Sequence, residues 1–204
     1  MRDFGSDRCA VCGGRINPEN DTEILDGYIC EDCISKLSPW FEEFDCAEVD
    51  ELKEQMRLRE RIDRDLENFH PTRKFGEEGD WMLLVDDEAR TFVVTDTLDL
   101  EDCDSEVIHF ENVTYCDNDV DDECDEIAPK LDRYSYTFNI SIDLDHPYLE
   151  NITYQLNEEP LEYEVKQHGF LGLGGHDAEE EPDYMEYQKL AEKICKVLNN
   201  EDDG

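Results

Sequence analysis

Two Cys-x-x-Cys pairs near the start constrain this chain more than any other feature. Cys9-Ala10-Val11-Cys12 and Cys30-Glu31-Asp32-Cys33 are separated by seventeen residues. Each pair turns two thiolates toward one point, with backbone N–H groups aimed at the sulfurs. Two such turns complete the tetrahedral sulfur set that Zn²⁺ accepts. Cys9, Cys12, Cys30 and Cys33 are therefore the expected ligands of one zinc ion. Four sulfur ligands leave no position for water, so the metal is expected to be structural. Residues 1–40 are too few to build much of a core. A structural zinc supplies about 10–16 kcal/mol of apparent binding energy to folding.

The residues around the cysteines suit this role. Gly13 and Gly14 let the first turn reverse, as in a zinc knuckle. Asn17–Asp21 reads as a turn. Asp26-Gly27 separates two short apolar runs, Thr22–Leu25 and Tyr28–Ile29, which is a hairpin signal. Cys30 and Cys33 open a predicted helix whose dipole favours thiolates. A knuckle, a hairpin and a helix-borne second pair point to a treble clef ahead of a zinc ribbon. A thioredoxin-like role is disfavoured, because no βαβ unit surrounds the first pair.

Cys9-x-x-Cys12-Gly13, Asp26-Gly27-Tyr28-x-Cys30-x-x-Cys33 and Lys36-Leu37-Ser38 together resemble a bacterial domain family of unknown function, DUF4428. The resemblance implies an N-terminal four-cysteine zinc finger. It also implies a linker helix, then a segment like Phe69-x-Pro71-Thr72-Arg73-Lys74-Phe75-Gly76, then a β-rich region. It implies no enzymatic activity.

Beyond the finger the periodicity changes twice. Val49, Leu52, Met56, Ile62, Leu66 and Phe69 lie near one stripe, which predicts a helix over 48–69. His70-Pro71 ends it. Strand signals follow at Trp81–Val85, Thr91–Thr95, Val107–Phe110 and Val113–Tyr115, with a bulge or tight connection expected at Glu111-Asn112. Tyr134 to Leu144 alternates apolar and polar residues throughout, so one face meets a core and the other meets water. Ile152, Tyr154 and Leu156 repeat the pattern, and Leu161–Val165 adds a further strand. Pro182 then starts a helix carrying Tyr184, Tyr187, Ala191, Ile194, Cys195 and Leu198 on one face.

The predicted fold class is α+β. A treble-clef or zinc-ribbon module over 1–40 is followed by a linker helix within 41–75. An antiparallel, β-barrel-like domain over 76–204, closed by the C-terminal helix, has the element order of pleckstrin-homology-like barrels.

Charge narrows the partners. Fifty-seven acidic residues against eighteen basic ones give a net charge of −39. Residues 76–204 hold −31 of it. Only 53–74 is net positive, with seven basic and five acidic residues. The acidity argues against direct binding to nucleic acid or to an anionic membrane, because both are polyanions. The opening residues lack an apolar signal segment, and no apolar run approaches the ~20 residues of a membrane helix. An intracellular, cytoplasmic protein is expected.

The remaining candidates carry less. Cys46, Cys103, Cys116, Cys124 and Cys195 lack paired spacing. Cys195 is expected in the core, and Cys103, Cys116 and Cys124 in or beside acidic loops, where a second thiolate metal site is an open alternative. Asp117–Glu123 invites a calcium reading but lacks the glycine and glutamate of an EF-hand loop. Gly169, Gly172, Gly174 and Gly175 read as a flexible connection, since no P-loop lysine follows. None of His70, His109, His146, His168 and His176 sits in a catalytic motif, and no catalytic residue is named. The expected function is that of a non-enzymatic adaptor or regulatory protein acting on a protein partner. A zinc-thiolate redox or metal sensor is the alternative, and an acidic nucleic-acid mimic the third reading.

Overall fold

A computed structural model describes residues 8–16, 22–41, 44–100, 103, 105–166 and 178–201, without the side chains of 61–64. The turn expected at Asn17–Asp21, the glycines from Gly169 to Gly175, His168, His176 and the side chain of Ile62 lie outside the described residues. The fold is mixed α and β. It contains a small hairpin, two four-stranded antiparallel sheets and a C-terminal helix.

The hairpin pairs β1 (Thr22–Ile24) with β2 (Gly27–Ile29). Its turn is Leu25-Asp26. Gly27 is needed for a different reason from the one the Asp-Gly signal implies. A Cβ there would lie 2.8 Å from Ala10 Cβ, and the Ala10 N–H donates to the Tyr28 carbonyl at 2.9 Å. The glycine lets the hairpin approach the first cysteine turn. A short helix, α1 (Glu31–Ile34), follows at once.

The second helix, α2 (Val49–Leu66), belongs to two cores. Near its start, Leu52 is fully buried with Ile24, Ile29, Leu37 and Ala47. Near its end, Leu66 and the following Phe69 pack on Met82, Leu84 and Val93. Asp26 Oδ1 accepts the Val49 N–H at 3.0 Å, so the hairpin turn satisfies an otherwise unpaired donor at the helix start. On the same helix Arg59 is buried. It donates to the Leu37 carbonyl and lies 3.5 Å from Glu106, whose carboxylate is wholly buried.

The first large sheet orders β3 (Arg73–Phe75), β4 (Met82–Asp86), β5 (Thr91–Thr95) and β6 (Ile108–His109). Every residue of β4 and β5 is buried. Their runs are apolar on both faces, and both faces are covered. Leu83, Val85, Phe92 and Val94 enter the main core, while Met82, Leu84 and Val93 face the end of α2. Asp86 closes the β4–β5 turn, its carboxylate accepting N–H groups of Glu88 and Ala89 and, from outside, of His70. Gly76, at φ +109°, is also required, since a Cβ would lie 2.8 Å from Met82 Cβ.

In the second sheet β8 (Leu131–Leu144) pairs along its whole length with β7 (Val113–Ala128). The opposite edge of β8 is shared. β9 (Asn151–Gln155) pairs with 139–143 and β10 (Leu161–Lys166) with 131–136. Asn157 fills the gap between them. Its side chain accepts the Phe138 N–H at 2.8 Å and donates to the Tyr136 carbonyl at 3.0 Å. The expected alternation of β8 holds: Tyr136, Phe138, Ile140, Ile142 and Leu144 are all buried.

The last helix, α3 (Pro182–Leu198), covers this core as expected. Ala191, Ile194, Cys195 and Leu198 are buried, and Tyr184 and Tyr187 pack on Phe138. Asn199 ties the helix end to β7, accepting the Cys116 N–H and donating to its carbonyl.

Two expectations need correction. The barrel does not close among the described residues. The run at Val107–Phe110 pairs only at Ile108–His109. Phe110 then turns its ring into the core against Phe92 in a 3₁₀ turn, and the chain leaves one sheet before starting the other. Second, Cys116 and Cys124 lie within β7, not in a loop. The Asp117–Glu123 run, which lacks the EF-hand pattern, is strand: Asp117, Asp119, Asp121 and Glu123 share its outward face and Asp122 lies on the other, and no metal-binding group forms there among the described residues.

Candidate metal centre

The first cysteine turn is held by its own backbone. The Gly13 N–H donates to the Cys9 carbonyl and the Cys9 N–H to the Gly14 carbonyl, both at 2.8 Å. Gly13 takes φ +72°, which only glycine adopts without strain. The Gly14 N–H points at Cys12 Sγ at 3.4 Å, the sulfur-directed amide that the spacing predicts. The second turn lies at the start of α1, with Cys30 as its N-cap residue and Cys33 inside the first turn. The Cys33 and Ile34 N–H groups both donate to the Cys30 carbonyl.

These two turns bring all four predicted cysteines together. The Sγ atoms of Cys9, Cys12, Cys30 and Cys33 all lie within 4.8 Å of one another. Cys9 and Cys33 are 3.9 Å apart, and Cys12 and Cys30 are 3.8 Å apart. A tetrahedron with Zn–S bonds of about 2.3 Å has edges of about 3.8 Å. Two opposite edges of the sulfur cage therefore have the length expected of a zinc tetrathiolate. Cys9 and Cys33 are 2% and 3% exposed, while Cys12 is open to solvent and Cys30 partly so.

The electrostatics ask for a cation. Burial pushes the Cys9 thiol up, but the N–H groups of Cys12, Cys30 and Val11 outweigh it and bring its pKa down to about 7. Burial and the neighbouring thiols push Cys33 far above the usual thiol range, and burial also raises Cys30. Four thiolates this close repel one another, and a divalent ion at the centre relieves that repulsion.

Residues 7–55 match the family model of a domain of unknown function, DUF4428. The resemblance read from the cysteine motifs is therefore shown over this part of the chain. The match runs through Gln55, and the hydrophobic cluster around the cysteines likewise reaches Ala47 and Leu52. No curated protein and no solved structure matches the chain.

The other cysteines do not assemble a second centre among the described residues. Cys116 and Cys195 form a buried thiol pair, with Sγ atoms 3.4 Å apart. Cys103 contacts Thr95, and Cys124 is exposed on β7. Sequence reasoning missed the parts that hold the finger in place. Asp26 as a cap for α2 carries no local signal, because its partner is twenty-three residues away. The Arg59–Glu106 pair is likewise invisible, since charged residues on a polar-looking helix read as solvated. No helix among the described residues is long and apolar enough to cross a membrane.

Proposed function

We propose that this chain is a non-enzymatic, intracellular adaptor or regulatory protein. Its N-terminal module is a treble clef held by one structural zinc on Cys9, Cys12, Cys30 and Cys33. The observation that carries the reading is the sulfur cage, all four Sγ atoms within 4.8 Å of one another and two opposite edges of 3.8 and 3.9 Å. All four positions are taken by sulfur, so a bound ion has no site for a reacting water, and its contribution is to folding. The order of strands followed by a terminal helix supports reading the β region as a pleckstrin-like platform with an open sheet. The strongly acidic surface favours a basic protein partner over nucleic acid or anionic lipid. Metal analysis of the purified protein tests the centre. One zinc per chain, lost in a Cys30→Ser variant, is expected. Absence of stoichiometric zinc, or full retention in the variant, overturns it.

The uneven exposure of the cage favours a second reading, a thiol sensor. Cys12 and Cys30 face solvent while Cys9 and Cys33 do not. Peroxide would oxidise the two outer thiolates to a disulfide, being reduced to water, and the ion would leave. Zinc release under mild peroxide, faster than unfolding, selects this reading. Retention of zinc until denaturation selects the adaptor.

A further inference from the structure

A cleft of about 480 Å³ opens beside the cysteine module. One wall is built from residues next to the module's own core, Trp40, Phe41, Ala47 and Glu51. The other is the β8–β9 connection, with His146, Tyr148 and Glu150. Neither wall belongs to the zinc site. The volume lies within the range of ligand-binding clefts.

The lining chemistry is one-sided. Among the described residues, three aromatic rings, two carboxylates and an imidazole line the cleft, and no lysine or arginine does. Glu51 and Glu150 are exposed at the mouth. His146, half-buried in the lining, packs edge-on against Tyr148 at 4.6 Å. Burial, with His109 nearby, lowers its pKa, so the ring adds no positive charge to the lining near pH 7.

From this geometry we infer that the cleft takes an arginine side chain from a basic segment of a partner protein. A guanidinium stacks on aromatic faces, pairs with carboxylates through a planar fork, and offers five N–H donors. It is more weakly hydrated than an ammonium, so half-burial suits it better than lysine. The cleft is much larger than one arginine side chain, which leaves room for flanking peptide. The net charge of −39 draws such a segment in. The inference rests on the protein-binding reading above and gives it a site. It also couples the partner to the metal, because Ala47 and Phe41 pack on the cysteine module's core.

The protein reports on this cleft itself. It has two tryptophans, and Trp40 lines the cleft with its ring 4.9 Å from that of Trp81. The zinc-loaded full chain is titrated with an acetylated, amidated hexapeptide carrying two arginines, and with its two-lysine counterpart, while tryptophan fluorescence is followed. A saturable change is expected, with the lysine peptide several-fold weaker. Glu51→Gln with Glu150→Gln is expected to weaken binding about tenfold, the loss of roughly one charge-assisted contact. A charge-matched control, Glu123→Gln with Glu126→Gln on exposed β7, is expected to change it less than about twofold. Circular dichroism checks that each variant is folded.

Equal weakening by the two double variants, or equal binding of the two peptides, overturns the cleft in favour of diffuse attraction. Binding of free argininamide as tight as that of the peptide overturns the peptide occupant. No saturable response also overturns the inference. If a partner isolated with the zinc-loaded protein is retained by the Glu51→Gln, Glu150→Gln variant, the cleft fails while the adaptor reading stands.

Discussion

The cysteine module and the β region hold themselves together by different means. Among the described residues, seven buried ones form the core around the cysteines, and two of them are Cys9 and Cys33. In the β region, twenty-three described buried residues from two sheets and α3 share one core, with further aromatics packed around it. The first has too little apolar surface to offset the entropy of ordering its chain, and so depends on four thiolates and what binds them. The second is held by burial, strand pairing and the fit of α3. Helix α2 and the Arg59–Glu106 pair join the two. Metal chemistry should therefore govern one half of the molecule, while packing governs the other.

Removing the metal is the strongest test of that contrast. Chelation, or Cys33→Ser, is expected to remove the roughly 10–16 kcal/mol of apparent binding energy of a structural zinc. Amide exchange in β1, β2 and α1 should become fast while β8 and α3 stay protected. Persistent protection in β1 and β2 after chelation would break the comparison. A smaller effect concerns the junction. Arg59→Ala removes the guanidinium beside the buried Glu106 carboxylate, and is expected to cost about 3–5 kcal/mol in urea unfolding. Arg59→Met with Glu106→Leu should recover most of it, because the burial cost of both charges disappears.

Within the β region the expected effects are smaller. Asn157→Ala removes the side chain that bridges β9 and β10 along β8, and leaves the Phe138 N–H without its acceptor. A loss of about 2 kcal/mol is expected, with the cysteine module's amide exchange unchanged. Asp86 gives a pH signature. The Ala89 N–H, opposed by burial and helped by those of His70 and Glu88, holds its carboxyl below the usual carboxylate range. Its folded pKa is depressed, so its contribution is complete above the unfolded value of about 3.9 and fades as pH falls through the lower folded value. Asp86→Asn should flatten the acid limb of the stability curve and cost about 1–2 kcal/mol at pH 7. An unchanged acid limb would remove Asp86 from the account.

How much of this was legible depends on how local the cause is. The cysteine cage follows from two short spacings and two glycines. Strand β8 follows from its alternation, and α3 from Pro182 and its apolar face. The helix predicted over 48–69 forms over Val49–Leu66, and its dual role is visible only once both cores exist. Strand β7 was legible only at its start. Its later residues, Asp117 to Glu126, are poor strand formers, and they are extended because β8 offers a complete pairing edge. Tertiary pairing overrides local preference there. The barrel does not close among the described residues, where β6 stops at His109 and Phe110 buries its ring against Phe92 in a 3₁₀ turn. The cleft had no sequence signal, because its walls lie about a hundred residues apart.

Strand β7 has a consequence for how these molecules meet each other. Among the described residues it is the outermost strand of its sheet, and beyond Cys116, whose backbone groups Asn199 takes, it presents an edge of backbone donors and acceptors. Such edges normally recruit a second copy. Here a second β7 would bring aspartates and glutamates opposite one another at cross-strand spacing, where like charges repel. Beyond Cys116 the edge is closed to its own kind by charge rather than by covering it. Acidifying the solution or adding polycations lifts that barrier, so colloidal stability in this protein is set by the same residues that leave the edge open.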